Sequence, residues 1–249
     1  MEKRFVDAPR FHVDADLGIG RNVALPETVA HHAVRVLRLR DGAAITLFSG
    51  RGGEFEGRLR LNGPHASAQL ERFHAVERES PLQVTLIQSW VATDKLELIV
   101  EKAVELGVAS MLLVPAARSV VHLEGARRER RLQRLREIVV SACCQCGRNR
   151  LPGVDAAESL QEGFAAALGH GATGVLLDPH DGVPPLSSAA GALPVALAIG
   201  PEGGFTEAER ALAAEMGYRA MRLGPRILRT ETAGLAGLAA LQALHGDLR

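Results

Sequence analysis

From residue 82 onward, apolar runs of strand length alternate with segments whose apolar residues recur at a helical period, and this alternation narrows the possible folds sharply. Strand–helix–strand repeats pair their strands in parallel and bury both sheet faces, so this region reads as an α/β domain with a mainly parallel sheet. Strands are expected at residues 82–91, 110–115, 174–177, 193–199 and 220–223. Helices are expected at 94–107, 124–146, 156–168, 206–216 and 231–245. Asp94 is placed to cap the first helix, and Thr206 with Glu209 has capping-box spacing at the fourth.

Two strands leave through related turns. Residues 199–205 read Ile-Gly-Pro-Glu-Gly-Gly-Phe, and 223–233 read Leu-Gly-Pro-Arg-Ile-Leu-Arg-Thr-Glu-Thr-Ala. Glycine and proline at a strand exit turn the chain sharply and let backbone amides approach a ligand closely. Such a pair suggests a built pocket, although ordinary strand-to-helix turns are spelled the same way. Several chemistries can be set aside. Neither turn has the lysine of a phosphate-binding Walker loop, and the first strand is followed by Ala92-Thr93-Asp94-Lys95 rather than a dinucleotide fingerprint. There is no Gly-x-Ser-x-Gly elbow and no His-Glu-x-x-His. What remains is a late-chain pocket of backbone amides and carbonyls with few charges, suited to a neutral-to-cationic adenosyl ligand.

The N-terminal region reads as β-rich. Strands are expected at 10–13, 22–25, 44–48, 54–61 and 66–74, separated by glycine turns, which suggests a small barrel. One helix interrupts them at 26–39, with Pro26 in its first turn. Val29, Ala33, Val36 and Leu37 form its apolar face, leaving His31, His32, Arg35, Arg38 and Arg40 around the rest. That basic side is either a solvated face or a phosphate-contacting patch. A polar run at 77–81 closes the region, giving domains 1–78 and 79–249.

With 249 residues, 47% hydrophobic and 23% charged, the chain has material for two modest cores. It lacks an apolar run of bilayer length and a signal-peptide start, so the expectation is a cytoplasmic protein with no membrane partner. Its formal net charge is zero, so any nucleic-acid binding must depend on where charge sits. The dense arginines at 127–136 have a compositional explanation, because lysine occurs only at Lys3, Lys95 and Lys102. Cys143, Cys144 and Cys146 are too few and too close for a disulfide framework, and their C-x-x-C lacks a second ligand pair, so no metal is expected.

The two turns, together with Gln145-Cys146-Gly147-Arg148-Asn149-Arg150, resemble the 16S rRNA (uracil-N3)-methyltransferase family, ribosomal small-subunit methyltransferase E. Pro9-Arg10-Phe11, residues 31–39 and Lys95 through Gly107, with Lys102-Ala103-Val104-Glu105-Leu106-Gly107, match as well, so the resemblance runs in order along nearly the whole chain. Two features depart from the family pattern. Cys144 stands where the family usually has glutamate, and the residues before Pro9 read as a disordered extension. The resemblance implies a SPOUT-class domain with a trefoil knot behind a PUA-like β-barrel. It also implies S-adenosylmethionine bound in the knot loops, a homodimer, and N3-methyluridine made in 16S rRNA, within the 30S subunit.

Methyl transfer to uracil N3 requires the N3 proton to leave, so the enzyme must supply a base or stabilise the uracil anion. Arg229 is the first choice for stabilising the anion; the other reading is a structural arginine paired with Glu231 or a helix end. Glu202 and Glu231 are the carboxylates nearest the pocket motifs, but such groups often only offset a helix dipole, and the base stays unassigned. Gly200, Gly203, Leu223, Gly224, Ile227, Leu228 and Thr232 are expected to hold the cofactor, with Leu228 also readable as core and Thr230 as a helix cap. The RNA-binding candidates are Arg10, Arg35, Arg38, Arg148 and Arg150, the last two foremost.

Overall fold

The structure, a computed structural model, describes residues 8–63, 65–169, 171–188 and 194–248. The expected disordered extension falls mostly on residues 1–7, outside the described residues. The chain divides into two compact units, Met1–Glu79 with Cys143–Leu151, and Ser80–Ala142 with Pro152–Arg249. The first stretch of the first unit ends within the polar run at 77–81, and residues 143–151 group with that unit.

Five strands form the sheet of the first unit: β1 (Arg10–His12), β2 (Asn22–Ala24), β3 (Ala44–Phe48), β4 (Glu54–Asn62) and β5 (His65–His74). Their order is β1-β3-β4-β5-β2, with β1 and β3 parallel and the other neighbours antiparallel. Phe11, Val23, Ile45, Leu47, Leu59 and Leu70 fill its core. The expected helix at 26–39 is shorter: α1 (Glu27–His31) passes into a π turn, His32–Val36. Leu37 N–H donates to His32 O at 2.9 Å, Leu39 N–H donates to Ala33 O at 3.0 Å, and Arg38 takes a left-handed φ of 54°. Those two bonds satisfy carbonyls of the last turn and stop the helix.

In the second unit β6 (Val84–Ser89), β7 (Ser110–Val114), β8 (Gly153–Ala156), β9 (Thr173–Leu177), β10 (Val195–Ile199) and β11 (Arg219–Met221) form one sheet. The order is β11-β9-β10-β6-β7-β8, and every neighbouring pair is parallel, as the alternation predicts. Its helices are α2 (Thr93–Glu105), most of α3 (Gly125–Cys146), α4 (Leu160–Leu168), α5 (Glu207–Glu215) and α6 (Thr230–His245). The edge strand β8 falls partly on residues expected to be helical; α4 starts later, where Ser159 Oγ accepts the Glu162 N–H at 3.1 Å. α2 begins before Asp94, and its cap residue Ala92 offers no side-chain bond. At α5 the capping box forms, with Thr206 N–H to Glu209 Oε2 at 2.7 Å and Glu209 N–H to Thr206 Oγ1 at 3.2 Å. Residue 193, expected to open the penultimate strand, lies outside the described residues.

β10 is the key to the site. It lies between β6 and β9 and is buried at all five positions, so its apolar run needs no alternation. The chain builds outward from β6 through β7 to β8, then resumes on the other side with β9 and inserts β10 beside β6. Where an open parallel sheet reverses its strand order, the loops at the carboxyl ends part and leave a crevice. α6 crosses close to the sheet there, because Gly237 carries no Cβ, which would sit 2.9 Å from Leu177 Cδ1. Among the described residues no helix is long and apolar enough to cross a membrane.

Candidate active site

A cavity of about 630 Å³ opens at that crevice, walled by the ends of β9 and β10 and by the two glycine–proline turns. Gly200, Gly203, Leu223, Gly224, Ile227 and Leu228 all line it, as does Arg229. Thr232 does not: it is exposed on the first turn of α6, outside the wall. Glu202 lines the cavity, whereas Glu231, half-buried on the same helical turn as Thr232, does not.

The two turns are joined through Thr230. Its hydroxyl donates to Gly200 O at 2.7 Å and accepts from Gln88 Nε2 at 3.1 Å, so strand β6 and both turns meet at one buried side chain. Ser89 Oγ adds a bond to Ile199 O at 3.0 Å. Thr230 is therefore a tie between the turns rather than a helix cap; the cap position of α6 is Arg229, which makes no side-chain capping bond. Gly200 is required by space, since a Cβ there would lie 3.0 Å from Phe205 N and 3.2 Å from the Gly204 carbonyl carbon. Gly224 is required by its φ of 67°.

The wall is richer in charge than the turns alone suggest, because other elements converge on it. Lys95 comes from α2, Arg118 from the loop after β7, Asp178 and His180 from the loop after β9, and Arg210 from α5. Lys95, Arg118, Asp178 and His180 share no sequence neighbourhood with the turns, and of them only Lys95 lay within a recognised motif; Arg210 sits on the helix that follows the first turn and donates back to Phe205 O at 3.0 Å. Lys95 Nζ donates to Glu202 Oε1 at 2.9 Å, and Arg118 donates to Gly203 O at 2.8 Å. The buried Asp178 carboxylate holds the His180 ring nitrogen Nδ1 and sits 3.7 Å from Arg210 Nε. Burial works to push the Glu202 carboxyl up, but hydrogen bonds from Lys95 and from its own backbone N–H, with the Lys95 charge, outweigh it and leave the acid below its ordinary range. Lys95 in turn is raised by its bond to Glu202. Among the described residues the Arg226 and Arg229 guanidiniums make no hydrogen bond or ion pair, so the expected alternative pairing of Arg229 with Glu231 does not occur.

The arginines expected to contact RNA fall into three cases. Arg35, within the π turn, and Arg38, just after it, are exposed. Arg10 and Arg148 are not available. Arg10 binds Glu54, donates to Asn149 Oδ1 at 2.7 Å and lies over the Phe48 ring, while Arg148 is 4% exposed and paired with Glu79. Asn149 is fully buried, donating to Val76 O at 2.7 Å and Glu54 Oε2 at 3.1 Å. The Gly-Arg-Asn-Arg segment is thus a clasp that fixes residues 143–151 to the first unit's sheet. Arg150 is exposed but paired with Glu77 at 3.2 Å.

Comparison with known proteins is consistent with this architecture. The family description "RNA methyltransferase domain" matches residues 78–242, and "RNA methyltransferase PUA domain" matches 25–70. The ribosomal RNA small subunit methyltransferase E of Bacillus subtilis is 32% identical over 229 residues, covering 87% of this chain and 90% of that protein. This chain belongs to the ribosomal RNA small subunit methyltransferase E family. A crystal structure of the Neisseria gonorrhoeae family member, bound to S-adenosylmethionine, superposes with a TM-score of 0.89 at 37% identity, covering 97% of this chain and all (100%) of that one. A Legionella pneumophila protein described as a methyltransferase, also with bound S-adenosylmethionine, gives 0.92 at 32% identity over 98% of this chain and 100% of that one. Cys144, at the family's usual glutamate position, is a partly buried thiol whose pKa is raised by desolvation, so it offers no carboxylate in return.

Proposed function

We propose that this protein transfers a methyl group from S-adenosylmethionine to N3 of a uridine in 16S rRNA of the small ribosomal subunit, giving N3-methyluridine. The observation that carries this reading is the joined pair of turns around one cavity, with Arg229 in its wall and unpaired among the described residues. The residues fit the cofactor. Gly224 leaves backbone open to an adenosyl group, Gly200 lets the first turn fold back tightly on itself beside it, Leu223, Ile227 and Leu228 give apolar surface, and the buried Asp178 carboxylate suits a cationic ligand. S-adenosylmethionine supplies a sulfonium-activated methyl group there. Gly200, Gly203, Leu223, Gly224, Ile227 and Leu228 hold and orient the ligand, and Thr230 keeps the two halves of the cradle in register.

Arg229 acts on the nucleophile. Its guanidinium presents a fork of donors and is not consumed by a protein partner among the described residues, so it is free to bind the uracil anion. Glu202 is a poor proton acceptor because Lys95 holds it ionised. Glu231 lies outside the cavity wall, so neither carboxylate is the evident base.

On the first unit the exposed Arg35 and Arg38, with Arg150, are the residues we assign to the RNA backbone. Arg38 is informative because an arginine occupies a left-handed backbone position where glycine would be unstrained. Closure of the first sheet into a PUA-like barrel, a trefoil knot where α6 follows the second turn, a homodimer, a 30S substrate and a cytoplasmic location complete the proposal. Tritium-labelled S-adenosylmethionine incubated with 30S subunits lacking the modification tests it. Label in 16S rRNA is expected; cofactor binding with no transfer would instead make the protein an RNA-binding assembly factor.

A further inference from the structure

Lys95 was not among the candidate site residues, yet it lies in the cavity wall, half-buried, at the start of α2. Its ammonium donates to Glu202 Oε1 at 2.9 Å, its one hydrogen bond among the described residues. An ammonium has three donors, so two remain for a ligand. Arg229 and Glu231 are close enough for their charges to act on Lys95, so two cations and two carboxylates share this end of the site. The bond to Glu202 strengthens Lys95's hold on its proton, which makes it a donor and a fixed charge rather than a base.

When uracil loses the N3 proton, the negative charge spreads over N3 and the two carbonyl oxygens that flank it. One guanidinium at one edge serves one of those oxygens well and the other poorly. A second cation is needed for the far oxygen, and it must be held so that it is in place before charge develops. Glu202 does that holding, which gives the carboxylate a use once its role as a base is set aside.

We propose that Lys95, positioned by Glu202, donates a hydrogen bond to one carbonyl oxygen of the target uracil while Arg229 serves the other, so that the pair favours the N3 anion near neutral pH. This rests on the functional reading above. The N3–H bond breaks and its proton passes to solvent water. The N3 electron pair then forms the new N–CH3 bond, while the electrons of the old S–CH3 bond stay on sulfur as a neutral thioether.

Single-turnover methylation of 30S subunits across a pH series, with wild type, Lys95→Gln and Lys95→Arg, tests the assignment. The wild-type rate should rise with pH and level off. Lys95→Gln should be slower by roughly 100-fold at neutral pH, the scale of losing one anion-stabilising donor, with its rising limb displaced to higher pH. Lys95→Arg should recover part of the rate, and calorimetry should find cofactor affinity unchanged in both variants. An unaltered rate and limb in Lys95→Gln would overturn the proposal. So would cofactor affinity falling in step with rate, or a salt-sensitive rise in KM alone, which would mark a phosphate contact. Should Lys95→Gln fail to fold by circular dichroism, Glu202→Gln takes its place: a displaced limb is expected, and an unmoved one overturns the idea. Failure of the wild type to label 16S rRNA would strike the functional reading itself, and is seen before any variant is compared.

Discussion

Arg229 occupies the cap position of α6, where the second turn ends and the chain enters its last helix. The backbone there is fixed by the Thr230 tie, while the guanidinium is left without a hydrogen bond or ion pair among the described residues. Rigid backbone with an uncommitted charge is what stabilisation of a developing anion requires. Arg229→Ala should lower the single-turnover rate by roughly 100- to 1,000-fold while leaving S-adenosylmethionine affinity nearly intact. Equal losses in both, by calorimetry and rate, would make the residue a shaper of the cavity instead. Arg38 makes a second residue-level claim through its φ of 54°. A left-handed non-glycine residue costs about 1 kcal/mol, so Arg38→Gly should raise thermal stability while weakening 30S binding. Gain or loss of both together, in melting and filter-binding measurements, would remove the RNA assignment of that side chain.

Between residues and the molecule lie the turns and the clasp. Burial works against ionisation of Glu54, but hydrogen bonds from Arg78, Arg10 and Asn149, with the Arg10 charge, prevail and hold its carboxyl below the usual range. A carboxyl with a depressed folded-state value contributes stability that is complete above the ordinary carboxylate range and is lost as pH falls through and below it. Glu54→Gln should therefore lower the melting temperature at pH 7, and the gap from wild type should close on acidification. A gap independent of pH would show that the clasp does not depend on that charge. The turns themselves were legible as sequence because glycine at Gly200 and Gly224 answers local constraints, space in one case and φ in the other. The clasp was not. Arg10, Arg148 and Arg150 look alike as letters, and only the fold decides that the first two turn inward onto Glu54, Asn149 and Glu79. Strand β8 was missed for a related reason: four residues at a sheet edge carry almost no periodic signal.

At the scale of the whole molecule, the alternation after residue 82 correctly announced a parallel sheet, but not the insertion of β10 between β6 and β9. That insertion depends on contacts distant in sequence, and it is what opens the crevice and brings Lys95, Arg118 and Asp178 to turns they never neighbour in the chain. It also explains how a protein with formal net charge zero can have a cation-rich wall: the charges are gathered rather than abundant. The central claim is that this wall serves an anion made on a base, not a ribose hydroxyl. Nucleoside mass spectrometry of 16S rRNA from 30S subunits treated with the protein and S-adenosylmethionine tests it most directly. A single new nucleoside, 3-methyluridine, is the expected product. A 2′-O-methylated nucleoside, or a methyl group on any other base atom, would contradict it.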